Sequence, residues 1–398
     1  MPKIPITPPR RLSDDVANLV SGTDAINCVF NPNDDQSFSL TRRGGLWAWW
    51  HANLTSGVDG VYWWANKSKL IVVSGGKIFA ASSLAATPTE ISSTAVRLNI
   101  NSPVQFETNG TWLYMCNGGW IVKWNGTDET AALATERPKA DSLAYINTVV
   151  LANEEGSNRI RFTEPQPTEQ LTEPVWSTDF FTPEANPDAL TALRSRWGEV
   201  LLFGPRSIEF WYYTGSGDVP FARIEGAYIE RGVLAPASIV AFDNSWFFFD
   251  SERKITRLTG RQPEVISIPF DKTIRAIDNA ADARGFIVDH RFYVITFPSN
   301  DITIAYDLYS KSWSKWTWWN TETAQHERFY GQCAEYVPEW AAQFIGGRAD
   351  SRVLLYHQNL VTDFLNPIRL EYYTAHLDWG TMEWKQSDKL LMRLRRGA

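Results

Sequence analysis

The sequence is poor in the residues that most often carry chemistry. Of 398 residues only three are cysteine and five are histidine. Cys28, Cys116 and Cys333 are odd in number and far apart, and no pair has metal or redox spacing. That usage implies a reduced, cytoplasmic folding compartment. His51, His290, His326, His357 and His376 form no HExxH motif, and no two share a turn of a credible helix, so the chain offers no spaced metal set. There is no G-x-S-x-G elbow. The nearest thing to a phosphate loop, "TGSGD" at 214–218, lacks the following lysine and helix and reads as a turn. "NPNDDQS" at 31–37 lacks the spacing and closing glutamate of a calcium loop. The repeated S-x-D-x-G-x-x-W turns of sialidase-like folds are also missing. A glycosidase needs two opposed carboxylates, which a sequence neither certifies nor excludes. No catalytic, cofactor-binding or metal residue is assigned, no cofactor is expected, and the chain is not read as an enzyme.

Positive charge is also in short supply. Thirty-eight Lys and Arg against 45 Asp and Glu give a formal net charge of -7, whereas a protein that grips nucleic acid by neutralising phosphates should be basic. Duplex DNA could pass such a surface without being specifically bound. No apolar run reaches membrane-spanning length, and the start "MPKIPITPPRRLSDDV" lacks the apolar core of a signal peptide. No stable membrane insertion is expected, and the sequons at Asn53, Asn66, Asn109 and Asn125 need no glycosylation reading. Asn-Gly at 109–110 and 125–126 is turn chemistry.

What the chain has in excess is large flat side chains: aromatics make up 14%, with 19 Trp. These suit pleated, half-buried surfaces. A unit of three apolar strands separated by polar or Gly turns recurs seven times. The start of its second strand falls at Leu70, Trp112, Val149, Val200, Trp246, Phe292 and Ala342. By subtraction the intervals are 42, 37, 51, 46, 46 and 50 residues, near the roughly 40–50 residues of propeller blades. Runs such as "EVLLFG", "WFFFD" and "FYVITF" are apolar on both faces, as inner strands between two blades must be. Small sheets with two greasy faces cannot bury them alone, so they stack radially and close. The predicted fold is an all-β propeller of about seven blades, with six as the other count, a sandwich pair or open solenoid being the alternatives.

Three regions lie outside the repeat. Residues 1–57 begin Pro-rich and form an N-terminal arm, one strand of which can complete the last blade. The propeller spans 58–365, and 163–188 within it, with five prolines, reads as a long inter-blade loop. Residues 366–398 alternate like a hairpin and form a C-terminal β extension that ends basic at Arg393, Arg395 and Arg396, a partner contact or a solvated terminus. Short helices are expected only at "SDDVANLV" and "FDKTIRAIDNAADA", with Ser13 and Asp271 as N-caps.

The tryptophan clusters "LWAWW", "VYWW" and "KSWSKWTWWN" read first as core or inter-subunit contacts and second as a sugar platform. In "AYDLYSKSWSKW" the turn before Trp313 is expected to be held by Asp307, with Trp313 covering the blade. Trp316 and Trp318 should share one face of the next strand, with Trp319 on the other.

With the repeats in place, the order of several blocks resembles the packaged-DNA stabilisation proteins of short-tailed bacteriophages, also called tail nozzle or tail hub proteins. The blocks are "NCVFNPNDDQSFSLTRRGGL", "LAYINTVVLANEEGSNRIRFTEPQPTEQ" and, the longest, 190–277. The last contains the stretch from Trp197 to Trp211 and "ERGVLAPASIV" with Gly232. The likeness covers most of 20–380 and rests on order and spacing.

That resemblance implies a structural protein of the virion, assembled in the host cytoplasm. It implies a hexameric ring below the portal and its adaptor ring, closed by a needle or plug, near tailspikes or fibres, shaping the DNA exit channel and retaining DNA until ejection. The 163–188 stretch, the N-terminal arm and the 366–398 tail would contact neighbouring subunits or the adaptor. A carbohydrate-binding propeller that reads a receptor is the alternative, and a polysaccharide hydrolase a third.

Overall fold

The computed structural model describes residues 24–373 except 34–37, 129, 135–136, 166–172, 186–187 and 365. Ser13, His376 and the arginines of the C-terminus lie outside the described residues.

Seven small antiparallel sheets follow one another and close into a seven-bladed β-propeller. The innermost strands are Val58–Trp64, Gln105–Thr108, Lys139–Ile146, Ala192–Arg196, Val233–Phe242, Arg284–Val288 and Gly331–Val337. The second strands include Lys69–Ser74, Val149–Glu154, Ser245–Asp250, Phe292–Phe297 and Ala342–Gly347, close to the positions expected from the repeat.

The apolar runs of these strands have a direct physical cause. Successive residues of a strand point to opposite faces. In Ser245–Asp250, Trp246 and Phe248 enter the junction with blade 4, and Phe247 and Phe249 enter the junction with blade 6. Such a core lies at every junction, from blades 1 and 2 around to blades 7 and 1. A strand between two dry faces has no polar side to show, so its sequence loses the alternation of a half-wet strand.

Closure uses both ends of the described chain. Gly45–His51 pairs antiparallel with Arg352–His357 and becomes the outer strand of blade 7. Asp24–Ile26 lies parallel to Ser312–Lys315 on blade 6 and antiparallel to Glu371–Tyr373. Cys28–Pro32 and Phe38–Arg42 form a hairpin beside them. The junction is centred on Arg43, which is fully buried. Its guanidinium donates to both oxygens of Asp363, at 2.5 and 3.0 Å. It also donates to Asn27 Oδ1 at 2.8 Å, to the Gly44 carbonyl at 2.9 Å and to the Thr317 carbonyl at 2.7 Å. The Phe329 ring lies 4.8 Å away.

Several expectations need correction. Trp176–Phe181, inside the stretch read as a loop, pairs with Ile160–Thr163 as an outer strand of blade 3; prolines on both sides of it hid a strand whose partner is local. The "FDKTIRAIDNAADA" stretch gives a helix only over Asp271–Arg275, and Phe270 occupies the N-cap position. Asp271 is therefore the first helical residue, where a carboxylate still meets the positive end of the helix. In the tryptophan cluster, Ser312–Lys315 and Thr317–Asn320 are separate strands, because the chain leaves blade 6 at Trp316. Trp316 is buried against Phe292 and Phe329, whereas Trp318 and Trp319 are half-buried on a two-stranded ribbon. The turn before Trp313 is held as expected: Asp307 accepts from the Tyr309 amide at 3.0 Å and the Ser310 hydroxyl at 2.7 Å.

Candidate functional surface

Two places could carry function: the bore at the propeller axis and the outer rim. The bore is walled by the seven inner strands, most of which touch their neighbours around the ring. Arg194 of blade 4 donates to Gln105 Oε1 of blade 2 at 2.7 Å and to the Pro236 carbonyl of blade 5 at 3.3 Å. Gln105 in turn donates to the Leu143 carbonyl of blade 3 at 2.6 Å. Arg284 of blade 6 donates to the Asn101 carbonyl at 3.0 Å and lies 3.5 Å from buried Asp59 of blade 1. Side chains hydrogen-bonded from blade to blade in this way occupy the axis.

Burial perturbs the bore's ionisable groups. Asp59 is raised to about 6 by burial, partly offset by Arg284. Burial holds Glu107 at about 7 and Glu335 at about 8, the latter eased by the Trp63 backbone amide. Burial lowers Arg194 to about 10. Glu335 thus keeps in the folded chain a proton that the unfolded chain gives up near 4.5. Its contribution to stability is present in full below about pH 4.5 and is lost as pH rises towards 8. Glu335→Gln should therefore flatten the decline of Tm between pH 5 and 8 and raise stability at pH 8 by on the order of 2 kcal/mol. Thermal unfolding across that range checks it; an unchanged pH slope in the variant would contradict the assignment.

The histidines stay apart. His51 and His357 are exposed on blade 7, His290 packs edge-on against Tyr336, and His326 sits beside Glu371 and Thr317. Among the described residues no group of three or more His, Cys, Asp or Glu could hold a metal ion, and no helix is long and apolar enough to cross a membrane. The three cysteines are free thiols; burial pushes Cys28 and Cys333 up to about 12 and Cys116 higher still.

Several aromatics are exposed at the surface, on an outer strand and at strand ends. Trp63 and Trp64 are core, and Trp49 and Trp50 pack on Phe344 and Phe79. Trp47 departs from the core reading at 59% exposed, whereas Trp49, two residues on, is packed, because a register shift between Val353 and Leu354 of the partner strand breaks the alternation there. Trp120, 48% exposed, lies beside the Arg137 and Lys139 cations. Trp197, 53% exposed at a blade 4 hairpin tip, lies beside Arg196. Sequence reading missed the bore network and Arg43, since residues scattered over seven strands share no motif.

The chain is a closed propeller whose inner strands are tied blade to blade by side-chain hydrogen bonds, with several aromatics exposed at its surface. The family model described as "Bacteriophage P22 Gp10, beta-propeller" matches residues 51–354. The chain belongs to that phage packaged-DNA stabilisation family, whose members are structural proteins of the virion. No curated protein matches the chain.

Among solved structures it is similar to the extracellular domain of a hybrid two-component system from B. thetaiotaomicron, with a TM-score of 0.52 and 10% identity over 78% of this chain and 39% of that one. The chain thus spans about two-fifths of that protein's length. It is also similar to a catalytically inactive virginiamycin B lyase from Staphylococcus aureus, with a TM-score of 0.51 and 11% identity over 77% of this chain and 98% of the lyase. A streptogramin B lyase gives 0.51 and 10%, over 79% of this chain and 98% of that one. At these identities the likeness is one of fold alone.

Proposed function

We propose that the chain is a subunit of the tail nozzle, a ring of six copies below the portal and adaptor that shapes and seals the DNA exit channel and retains the genome until ejection. The family match over 51–354 carries this reading. The filled bore supports it: if DNA does not pass through one propeller, the conduit is the space that several copies enclose. The acidic balance of the chain suits such a conduit, since few phosphate contacts would have to be stripped as DNA slides. Closed blades leave few open sheet edges, as a wall facing a pressurised genome requires.

In this reading the protein is not an enzyme, and its contacts are protein contacts. The ring neighbours would be reached through the N-terminal arm, the 163–188 stretch and the 366–398 tail, with the needle closing the ring and tailspikes or fibres beside it. Trp47, Trp120 and Trp197 are suited to such interfaces, where large aromatics with adjacent cations anchor contacts.

Negative-stain imaging of the purified chain, alone and mixed with the portal adaptor protein of the same phage, tests the proposal. Six-fold rings or adaptor-bound rings are expected. Monomers under both conditions would overturn it, and monomers that bind a glycan array would replace it with the receptor-reading alternative. Reducing-sugar release would point instead to a hydrolase.

A further inference from the structure

A groove of about 870 Å³ opens where the outer strands of blades 5 and 6 meet, beside the hairpin Cys28–Pro32 and Phe38–Arg42. Its walls are aromatic and apolar: Tyr306, Tyr309 and Trp313 from blade 6, Ile268 from the end of blade 5, and Phe38 from the hairpin. Tyr309 and Ile268 are each 68% exposed, the most open large apolar side chains described. Glu264 and Lys311 add one charge of each sign. A monomer rarely leaves such a surface bare.

The polar groups of the groove are largely spent. The Trp313 indole donates to the Ile266 carbonyl at 2.9 Å, and the Ser310 hydroxyl donates to Asp307 at 2.7 Å. A sugar ring laid there would leave most of its hydroxyls unpaired, which is costly. An apolar side chain on a protein surface, with a charge on either side of it, fits better.

The chain carries such a surface itself. Trp176–Phe181 is the edge strand of the blade 3 sheet, paired on one side only. Phe180 is 41% exposed there, with the Arg159 guanidinium 4.6 Å from its ring and exposed Asp179 next to it. It thus offers a positive charge for Glu264 and a negative one for Lys311. Trp120 and Trp197 have cations against their rings, which would meet Lys311 with like charge. Blade 4 stands between Phe180 and the groove, so a copy cannot fill its own groove and the contact runs between copies. Groove and knob are different patches, which makes the contact head-to-tail, the kind that closes a ring. We infer that Phe180 of one copy seats in the groove between blades 5 and 6 of the next, with Arg159 towards Glu264 and Asp179 towards Lys311. The inference rests on the nozzle reading in that it needs several copies side by side.

Photocrosslinking in the full-length chain, alone and with the portal adaptor protein of the same phage, tests it. Unlabelled chain with p-benzoylphenylalanine in place of Tyr309 is mixed with chain labelled with heavy nitrogen, then irradiated and mapped by peptide. Position 309 of the unlabelled copy should join residues 175–181 of a labelled one. Tyr309 is exposed, so folding should survive the change. Phe180→Ser should lower the crosslink yield about ten-fold. Glu264→Arg should lower it about five-fold, and adding Arg159→Glu should restore it. Crosslinks only within one copy, only to other segments of a neighbour or only to the adaptor, no crosslink, or failure of the charge swap would each overturn the assignment. Six-fold rings without this crosslink would end the contact and leave the nozzle reading standing, whereas monomers under both conditions would end both.

Discussion

Arg43→Met should destabilise the folded chain by about 3–5 kcal/mol, the range for removing one member of a buried ion pair. The substitution keeps an apolar stem of similar length, so the loss is electrostatic. It leaves Asp363 as a buried carboxylate with no counter-ion, and it strips a donor from the Thr317 carbonyl and from Asn27 Oδ1. Asn27 keeps its bond from the Thr317 amide at 2.9 Å and its own donation to the Arg369 carbonyl at 2.8 Å, so the site would be half satisfied, which is worse than either extreme.

The arrangement also predicts where the damage appears. Asn27 and Arg43 belong to the arm, Thr317 to the connection between blades 6 and 7, and Asp363 to the segment beside the closing strand Gly45–His51. Chemical denaturation should show the stability loss, and limited proteolysis should open the chain first around 24–57. Pairing Arg43→Met with Asp363→Leu should cost clearly less than the two single changes added together, because the second removes the charge that the first exposes. A single-variant loss under about 1 kcal/mol would mean that water reaches the pair and the junction is looser than its burial indicates.

The part of this architecture visible in the sequence was the part repeated in it. Second strands such as Phe292–Phe297 are buried on both faces, so their composition announces the sandwiched position by itself. A turn such as Asn109-Gly110 is equally local: the Asn109 side chain accepts from the amides of Thr111 and Trp112 at 3.1 and 2.7 Å, and Gly110 has a positive φ. The centre of the molecule is different in kind. Arg194 meets Gln105, and Arg284 meets Asp59, from four different blades, and both pairs form only because the ring closes. Arg43 in "TRRGGL" looks like one cation of a solvated turn, and nothing nearby in sequence distinguishes it from Arg42, which is only half-buried and bonds the Leu360 carbonyl. Trp47, Trp49 and Trp50 share one short word, yet one is exposed and two are packed, since face and strand position decide burial and residue type does not.

Gly232→Ala should be as damaging as the loss of Arg43, although it adds a single methyl group. A Cβ at residue 232 would lie 2.1 Å from the Pro205 carbonyl carbon, 2.2 Å from its oxygen and 2.3 Å from the Arg206 nitrogen. All three are backbone atoms, so no rotamer change relieves the contact. The approach is held from several sides: the Val233 amide donates to the Gly204 carbonyl at 3.0 Å, and the Ser251 amide donates to Gly232 itself at 3.1 Å. To admit the methyl, the Gly204–Pro205 turn of blade 4 must lift off the first strand of blade 5, opening the junction that buries Phe203, Ile208 and Phe248.

Overpacking against yielding side chains costs about 1–3 kcal/mol; against fixed backbone, about 3 kcal/mol or more is expected. Gly156→Ala is the matched control. It has open space around it but a φ of +67°, so it should cost only the left-handed backbone penalty of about 1 kcal/mol. Equal, small losses for the two variants in urea unfolding would show that blades 4 and 5 can separate at little cost, and that the docking of the "FGPRS" turn onto Gly232 does not hold that junction together.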